Sequence, residues 1–231
     1  MNAFTLLKNK QKTNSKGKLT TFINPYSYLY FRKNLQLFKE FDHIFLDGIL
    51  LVALFRLFGV KTSRYSFDST SLAPKVFSNA VRQNQTIYFV GSNQDSIQDF
   101  VKVIKSNYKG LLLHGYNKGF FDTTEEREQL LTNIVELNPD IVIAGMGTPL
   151  QDYFLIDLKN KGWRGNGYTC GGFIHQTIKT HNYYPAFFNK LNIRAVYRMI
   201  DEPKLISRYF LLYPKSICLF FIDFIKSKTI N

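Results

Sequence analysis

The sequence predicts an α/β fold, a mostly parallel sheet with flanking helices, and three observations carry that prediction. From residue 86 to residue 170, short apolar runs alternate with helical stretches in the order β-α-β-α-β-α-β. Strands that alternate with helices build a parallel sheet with right-handed crossovers. The runs Thr86–Val90 and Ile141–Ala144 are continuous rather than alternating in hydrophobicity, as strands buried on both faces are. Turn residues then close the runs: Gly91-Ser92-Asn93 after the first, Gly145-Met146-Gly147 after the second.

The elements follow in chain order. Residues 1–18 are polar and rich in lysine, and read as a basic, poorly ordered or loosely docked N-terminal arm. Leu19–Ile23 is the first strand, ended by Asn24-Pro25, because a proline biases the residue before it away from helix. Tyr26–Phe41 repeats apolar residues at three and four and reads as one helix. His43–Leu46 is a strand, and Ile49–Phe58 an apolar helix stopped at Gly59. Arg64–Ser71 is polar and turn-rich, a loop. Leu72–Arg82 is a helix, Thr86–Val90 a strand, and residues 95–107 a helix. Leu111–His114 is the next strand, ending at Gly115. Thr123 and Glu126 form a capping box for a helix to Leu137. Ile141–Ala144 is followed by a helix to about Lys159, with Thr148 as its cap and Pro149 in its first position. The last strand lies near Gly167–Cys170.

In the stretch 140–154, a buried strand, a tight glycine turn and a helix start stand in direct succession. Glycine lets a ligand approach the backbone, and a helix start offers free N–H groups to an anion. Gln151, in the first helical turn, is within reach of the same ligand; a plain packing turn is the alternative. Asp47 ends one strand just before a helix. An N-cap is the commoner fate of an aspartate in that position; the alternative is a carboxylate held over the carboxyl edge of a sheet, where α/β enzymes keep their chemistry. Gly91, Gly115 and Gly145 are expected to line one such edge.

The chain of 231 residues is 45% hydrophobic, which supports a substantial core and excludes wholesale disorder. Its net charge of +13 is unevenly placed. Residues 1–39 hold eight basic and no acidic residues, residues 190–231 eight basic and three acidic, and residues 40–189 fourteen of each. A neutral body with basic ends suits an anionic membrane surface better than a nucleic-acid groove. Two distant cysteines give no disulfide framework, which fits a reducing compartment, and the N-terminus has no apolar signal-peptide core. The division expected is a basic arm over 1–18, an α/β core over 19–189 and a basic, aromatic C-terminal appendage over 190–231. No apolar run in the appendage reaches the roughly 20 residues needed to span a bilayer. It reads either as a helix packed on the core or as an interfacial amphipathic helix.

Several chemistries are absent from the sequence. There is no GxGxxG and no GxxxxGK[ST], so dinucleotide and P-loop chemistry are not favoured. No Asp-x-Asp pair occurs. His175 and His181 lack a third ligand, so no metal site and no cofactor is expected.

The set Leu46-Asp47-Gly48-Ile49, the strand and Gly91-Ser92 turn, Gly145-Met146-Gly147-Thr148-Pro149-Leu150-Gln151, Arg194-Ala195-Val196-Tyr197-Arg198 and Glu202-Pro203 resembles the WecG/TagA/CpsF glycosyltransferases, glycosyltransferase family 26. Asn24-Pro25-Tyr26-Ser27-Tyr28 and Thr169-Cys170-Gly171-Gly172-Phe173-Ile174-His175-Gln176 look like its CpsF-like branch. The resemblance covers roughly residues 20–210. It implies a Rossmann-like, inverting, metal-independent enzyme. Such an enzyme moves a sugar, often of the N-acetylmannosamine type, from a UDP-sugar to a polyprenyl-diphosphate-linked acceptor for a bacterial envelope polysaccharide, working peripherally at the cytoplasmic face of the membrane. Asp47 takes the role of base and Gln151 that of the second catalytic residue. Asn24, Gly91, Ser92, Gly145, Gly147, Thr148, Gly171, Gly172 and Gln176 fall in the substrate-binding turns. Phe120 offers a face for uracil, His175 a contact to sugar or diphosphate, and Arg194 and Arg198 a grip on diphosphate. A homo-oligomer is compatible with this reading.

Two departures stand out. Many members have Thr where this chain has Phe22. Many have an acidic residue in the segment read here as Gly171-Gly172-Phe173-Ile174-His175, which leaves room for a donor sugar other than N-acetylmannosamine. The competing readings are a basic nucleic-acid-binding module and a peripheral membrane scaffold without catalysis.

Overall fold

The computed structural model describes residues 1–11, 19–179, 187–188 and 194–229. Its sheet has six strands, all parallel: β1 Leu19–Ile23, β2 His43–Leu46, β3 Thr86–Gly91, β4 Leu112–Asn117, β5 Ile141–Gly145 and β6 Asn166–Thr169, in the order β2-β1-β6-β5-β3-β4. Side chains alternate across the sheet. Val142 and Ala144 pack to one side with Tyr88, Val90 and Ile23. Ile141 and Ile143 pack to the other with Ile87, Phe89 and Phe22. Both faces are covered, which is why the strands read as unbroken apolar runs.

On the first face lie helices α1 Ala3–Asn9, α2 Pro25–Lys33, α3 Leu35–Lys39, α4 Ile49–Leu57, α7 Thr124–Leu137 and α8 Leu150–Asn160. On the other lie α5 Leu72–Arg82, α6 Gln94–Asn107 and α9 Phe173–Lys179. The chain closes with α10 Arg194–Asp201, a 3-10 turn Pro203–Leu205, a wide helical turn Arg208–Leu212 and α11 Tyr213–Thr229.

Four details differ from the expectations. Residues 3–9 form a helix with Ala3, Phe4, Leu6 and Leu7 buried, rather than a loose arm. Their apolar spacing is helical, and the count of lysines hid it; Lys12, Lys16 and Lys18 lie outside the described residues. The stretch from Tyr26 splits at Asn34, whose backbone leaves the helical region while its side chain donates to the Tyr30 carbonyl at 2.8 Å. Gly115 lies inside β4 rather than after it. A Cβ there would sit 2.5 Å from the Tyr88 ring, so the glycine admits that ring across an exposed edge strand. Pro149, not Thr148, takes the cap position of α8.

The C-terminal helix is fastened to the core. Phe220 is fully buried, with its ring 5.6 Å from Phe4, 5.1 Å from Phe55 and 5.7 Å from Tyr28. Asp223 is paired with Arg32, whose Nη2 donates at 2.9 Å, and accepts from the Tyr28 hydroxyl at 2.7 Å. Arg32 and the tyrosine hydroxyl stabilise this buried carboxylate, which alone would oppose folding. Among the described residues, no helix is long and apolar enough to cross a membrane.

Candidate active site

A cleft of about 510 Å³ opens at the carboxyl edge of the sheet. Strand β1 delivers Phe22 and Asn24 to it, β2 delivers Asp47, the β5–α8 turn Gly147, Thr148 and Gln151, and the β6–α9 turn Thr169, Gly171 and Gly172. Strand ends in a parallel sheet all point the same way, so four separate segments converge there.

Asp47 is placed by backbone. Its N–H donates to the Ile23 carbonyl at 2.9 Å, which pins the end of β2 to β1. The cap position of α4 falls on Gly48, so Asp47 stands one residue before the cap rather than in it. Gly48 has φ of 101°, a left-handed conformation that glycine admits at the entry to the helix. Beside it, the segment from Arg64 runs parallel to the end of β2: Leu46 bridges Arg64, and the Tyr65 N–H donates to the Leu46 carbonyl at 3.0 Å. This brings the Arg64 Nη2 to 3.3 Å from Asp47 Oδ1. The same nitrogen lies 2.8 Å from Asp68 Oδ2 and 2.6 Å from the Ser66 hydroxyl. Asp68 also accepts from Ser66 at 2.6 Å and from the Thr70 N–H and hydroxyl at 2.8 and 2.7 Å. Burial pushes the Asp68 carboxyl upward, but Arg64 and these donors outweigh it and hold it at about 2. The Arg64 Nη2 thus reaches both carboxylates, Asp68 at the shorter distance.

The floor is built differently. Gln151 is 3% exposed, accepts from the Gly171 N–H at 3.0 Å through Oε1, and donates to the Thr148 hydroxyl at 3.4 Å. It ties the two glycine turns together. Beneath it Asp152 is fully buried and accepts from the Thr21 hydroxyl at 2.7 Å; Thr169 in turn donates to Thr21 at 3.0 Å. Burial drives the Asp152 carboxyl up to about 7, eased in part by the Thr21 and Thr148 hydroxyls. On the open side, Arg208 stacks on Tyr26 with its guanidinium carbon 3.8 Å from the ring centroid, and Glu202 and Leu205 complete the lining.

The structure thus brings together Asn24, Asp47, Phe120, Gly147, Thr148, Gln151, Gly171, Gly172 and Gln176. Asn24 also caps α2, exchanging bonds with Ser27. Gly91, Ser92 and Gly145 are not in the cleft lining. A Cβ on Gly91 would meet the Gly145 carbonyl oxygen at 2.6 Å, and one on Gly145 would meet Cys170 Sγ at 2.7 Å, so these glycines serve close packing of strand ends. His175 is exposed on α9 and outside the cleft, while the next residue, Gln176, is buried and lines it. Successive helical residues point about 100° apart, so only one of the two reaches the site. The side chains of Arg194 and Arg198 lie outside the described residues, as does His181. Among the described residues, no group of three His, Cys, Asp or Glu side chains is placed to hold a metal ion.

Sequence reasoning missed Arg64, Ser66, Asp68, Asp152, Thr21, Tyr26 and Arg208 as parts of the cleft. The RYSFD segment carried a signal, since an Arg and an Asp four apart in a polar loop just after Asp47 form a natural pair.

Residues 2–230 match the family described as "Glycosyl transferase WecG/TagA/CpsF family". The chain is 34% identical over 216 residues to a "UDP-Gal:alpha-D-GlcNAc-diphosphoundecaprenol beta-1,4-galactosyltransferase" of Shigella boydii, covering 93% of this chain and 89% of that one. It is 22% identical over 162 residues to an "N-acetylglucosaminyldiphosphoundecaprenol N-acetyl-beta-D-mannosaminyltransferase" of Bacillus spizizenii, covering 70% and 62%. To the protein of the same description in Bacillus subtilis it is 23% identical over 190 residues, covering 81% and 73%.

Proposed function

The chain belongs to the WecG/TagA/CpsF family and is a glycosyltransferase, and from that premise we propose that it transfers galactose, with inversion, from UDP-galactose to N-acetylglucosamine carried on a polyprenyl diphosphate. Identity favours galactose, at 34% to a galactosyltransferase against 22% and 23% to the mannosaminyltransferases.

In the proposed step the acceptor hydroxyl attacks the anomeric carbon. Asp47 takes its proton, the bond from that carbon to the UDP oxygen breaks, and UDP leaves with the electron pair. The charge that develops on the diphosphate meets Arg208 and the Gly147–Thr148 turn, which line the cleft before reaction. Arg64 stays on Asp68 and orients Asp47 from the side. A divalent ion is not needed in this scheme, and transfer is expected to persist in EDTA. Arg194 and Arg198 supply further grip on diphosphate.

The C-terminal region from residue 190 serves in this reading as cover for the cleft and as a foot on the membrane. Ile206, Phe210, Leu211, Ile222 and Ile225 are exposed apolar side chains in the same segments as Lys215, Lys226 and Lys228. Each basic residue near an anionic leaflet adds about 1 kcal/mol of attraction. That foot would hold the protein at the cytoplasmic leaflet, where a lipid-linked acceptor is presented.

The observation that carries the proposal is the Asp47 carboxylate at the end of β2, lining a cleft built from four strand ends. The test is UDP release from purified protein with a short-chain N-acetylglucosaminyl diphosphate lipid. UDP-galactose should support turnover at least about tenfold above UDP-N-acetylmannosamine, a difference of roughly 1.4 kcal/mol in transition-state binding. Equal or reversed rates would remove galactose as the donor.

A further inference from the structure

Beneath the floor of the cleft lies a titratable side chain that the transfer step does not use. Asp152 has no exposure to solvent, and its Oδ2 has no hydrogen-bond partner among the described residues. The groups that face it are the Thr21 hydroxyl from β1, its own backbone N–H and the Thr148 hydroxyl from the turn before α8; Thr169 of β6 reaches it through Thr21. Among the described residues it makes no ion pair. An acid placed so costs stability when ionised, because only hydroxyls and one amide answer its charge. A residue that merely filled this space would serve better as an apolar side chain.

Its neighbours explain what it does there. Asp152 follows Gln151 directly in the first turn of α8, and Gln151 holds the Gly171 N–H at 3.0 Å. Thr21 immediately precedes Phe22, and Thr169 lies two residues before Gly171; Phe22, Thr169 and Gly171 all line the cleft. One carboxyl therefore joins three segments that carry the site: the strand bearing Phe22 and Asn24, the β6–α9 turn and the helix bearing Gln151.

Resting on the transferase reading above, we propose that Asp152 is a positioning residue that locks the Gln151 helix start to β1 and β6, and so holds the Gln151–Gly171 contact in register beneath the substrate. The lock works in the uncharged form. A neutral carboxyl accepts from Thr21 without an unanswered charge, whereas the ionised form draws its helix start toward water and loosens the floor. The site then tightens at lower pH and slackens as pH rises through about 7, opposite in direction to the demand of a general base.

Two measurements separate this from the transferase reading. The first is amide hydrogen exchange at Gly171, corrected for intrinsic rate and referred to the Phe154 amide within α8. In the wild type, Gly171 protection should fall about tenfold between about pH 6 and about pH 8.5, the span over which the carboxyl ionises. Asp152→Asn keeps an acceptor and cannot ionise, so its protection should not change with pH. Asp152→Ala should lack the extra protection throughout, and Thr21→Val, which removes the partner and leaves the acid, should do the same.

The second is transfer rate. At about pH 6, Asp152→Asn should stay within about threefold of wild type while Asp152→Ala loses about 10²-fold, the scale of a small misplacement at a site. Toward about pH 8.5 the wild-type to Asn ratio should drop about tenfold. Identical pH profiles in wild type and Asp152→Asn, with Gly171 protection unmoved in both, would overturn the assignment. If no donor is transferred at all, the transferase reading fails, and the exchange data still decide on Asp152.

Discussion

Two buried carboxyls flank the same cleft and are handled in opposite ways. Asp68, in the wall, faces a guanidinium, two hydroxyls and a backbone N–H, and stays ionised with its titration held at about 2. Asp152, in the floor, faces only threonine hydroxyls and its own backbone N–H, and is driven to about 7. The difference is one of compensation. Both are buried, at 8% and 0% exposure, so burial alone cannot separate them. An arginine within 2.8 Å decides the sign for Asp68, and no such partner reaches Asp152. The wall is a fixed charge array that orients Asp47, and the floor is a neutral clamp.

The largest break in this comparison is the removal of the arginine. Arg64→Ala leaves Asp68 buried and uncompensated, so about 3 to 5 kcal/mol of stability should be lost. Denaturant melts would report it as a shift in midpoint at constant slope. A loss under about 1 kcal/mol would mean that Asp68 is not held by Arg64.

The pH dependence of stability comes next, with opposite signs for the two acids. Asp152 is raised above its unfolded value, so its contribution is full below about pH 4 and is lost as pH rises through about 7, about 4 kcal/mol in all. Asp68 is depressed, so its contribution is full above about pH 4 and is lost as pH falls toward about 2, about 2 kcal/mol. Wild-type stability should therefore peak near about pH 4 to 5 on these two groups. Asp152→Asn should flatten the neutral limb alone, and Asp68→Asn the acid limb alone. A neutral limb unchanged in Asp152→Asn would contradict the assignment of the floor.

The smallest expected effect concerns the turns above. Gly147 has φ of 78° and open space at its Cβ position, so Gly147→Ala should cost only the left-handed strain, about 1 kcal/mol. Gly91→Ala, where backbone stands 2.6 Å from the new Cβ, should cost about 3 kcal/mol. Equal costs, read as shifts in Tm, would show that both turns serve packing alike.

The glycines show how far the sequence could be read. Strand, glycine and helix start recur at Gly91 and Gly147 in the same local pattern, and that pattern correctly predicted a parallel sheet with both faces buried. What the glycine is for depends on the neighbouring strand, which no local pattern contains. Gly91 meets β5, while Gly147 meets the cleft. Asp47 and Gln151 were legible because each sits at the junction of a strand or turn with a helix. Arg64 and Asp68 were not, because a polar loop acquires meaning only when it runs beside β2. Asp152 looked like an ordinary acid in a first helical turn, and only the crossing of β1 beneath it makes it buried. The C-terminal segment was readable as apolar and basic. Its division was not: Phe220 enters the core and Arg208 the cleft, so removal of residues 205–231 would damage both.

The central claim is that Asp47 takes the proton from the acceptor hydroxyl, and Asp47→Asn tests it most directly. The substitution keeps shape and removes basicity. Single-turnover transfer from UDP-galactose to the short-chain acceptor should fall by about 10²- to 10⁴-fold. UDP binding and Tm should remain within about twofold and about 2 °C of wild type, because the cap position of α4 falls on Gly48 and the Arg64 Nη2 lies closer to Asp68 than to Asp47. A folded Asp47→Asn protein that transfers at the wild-type rate would contradict the account.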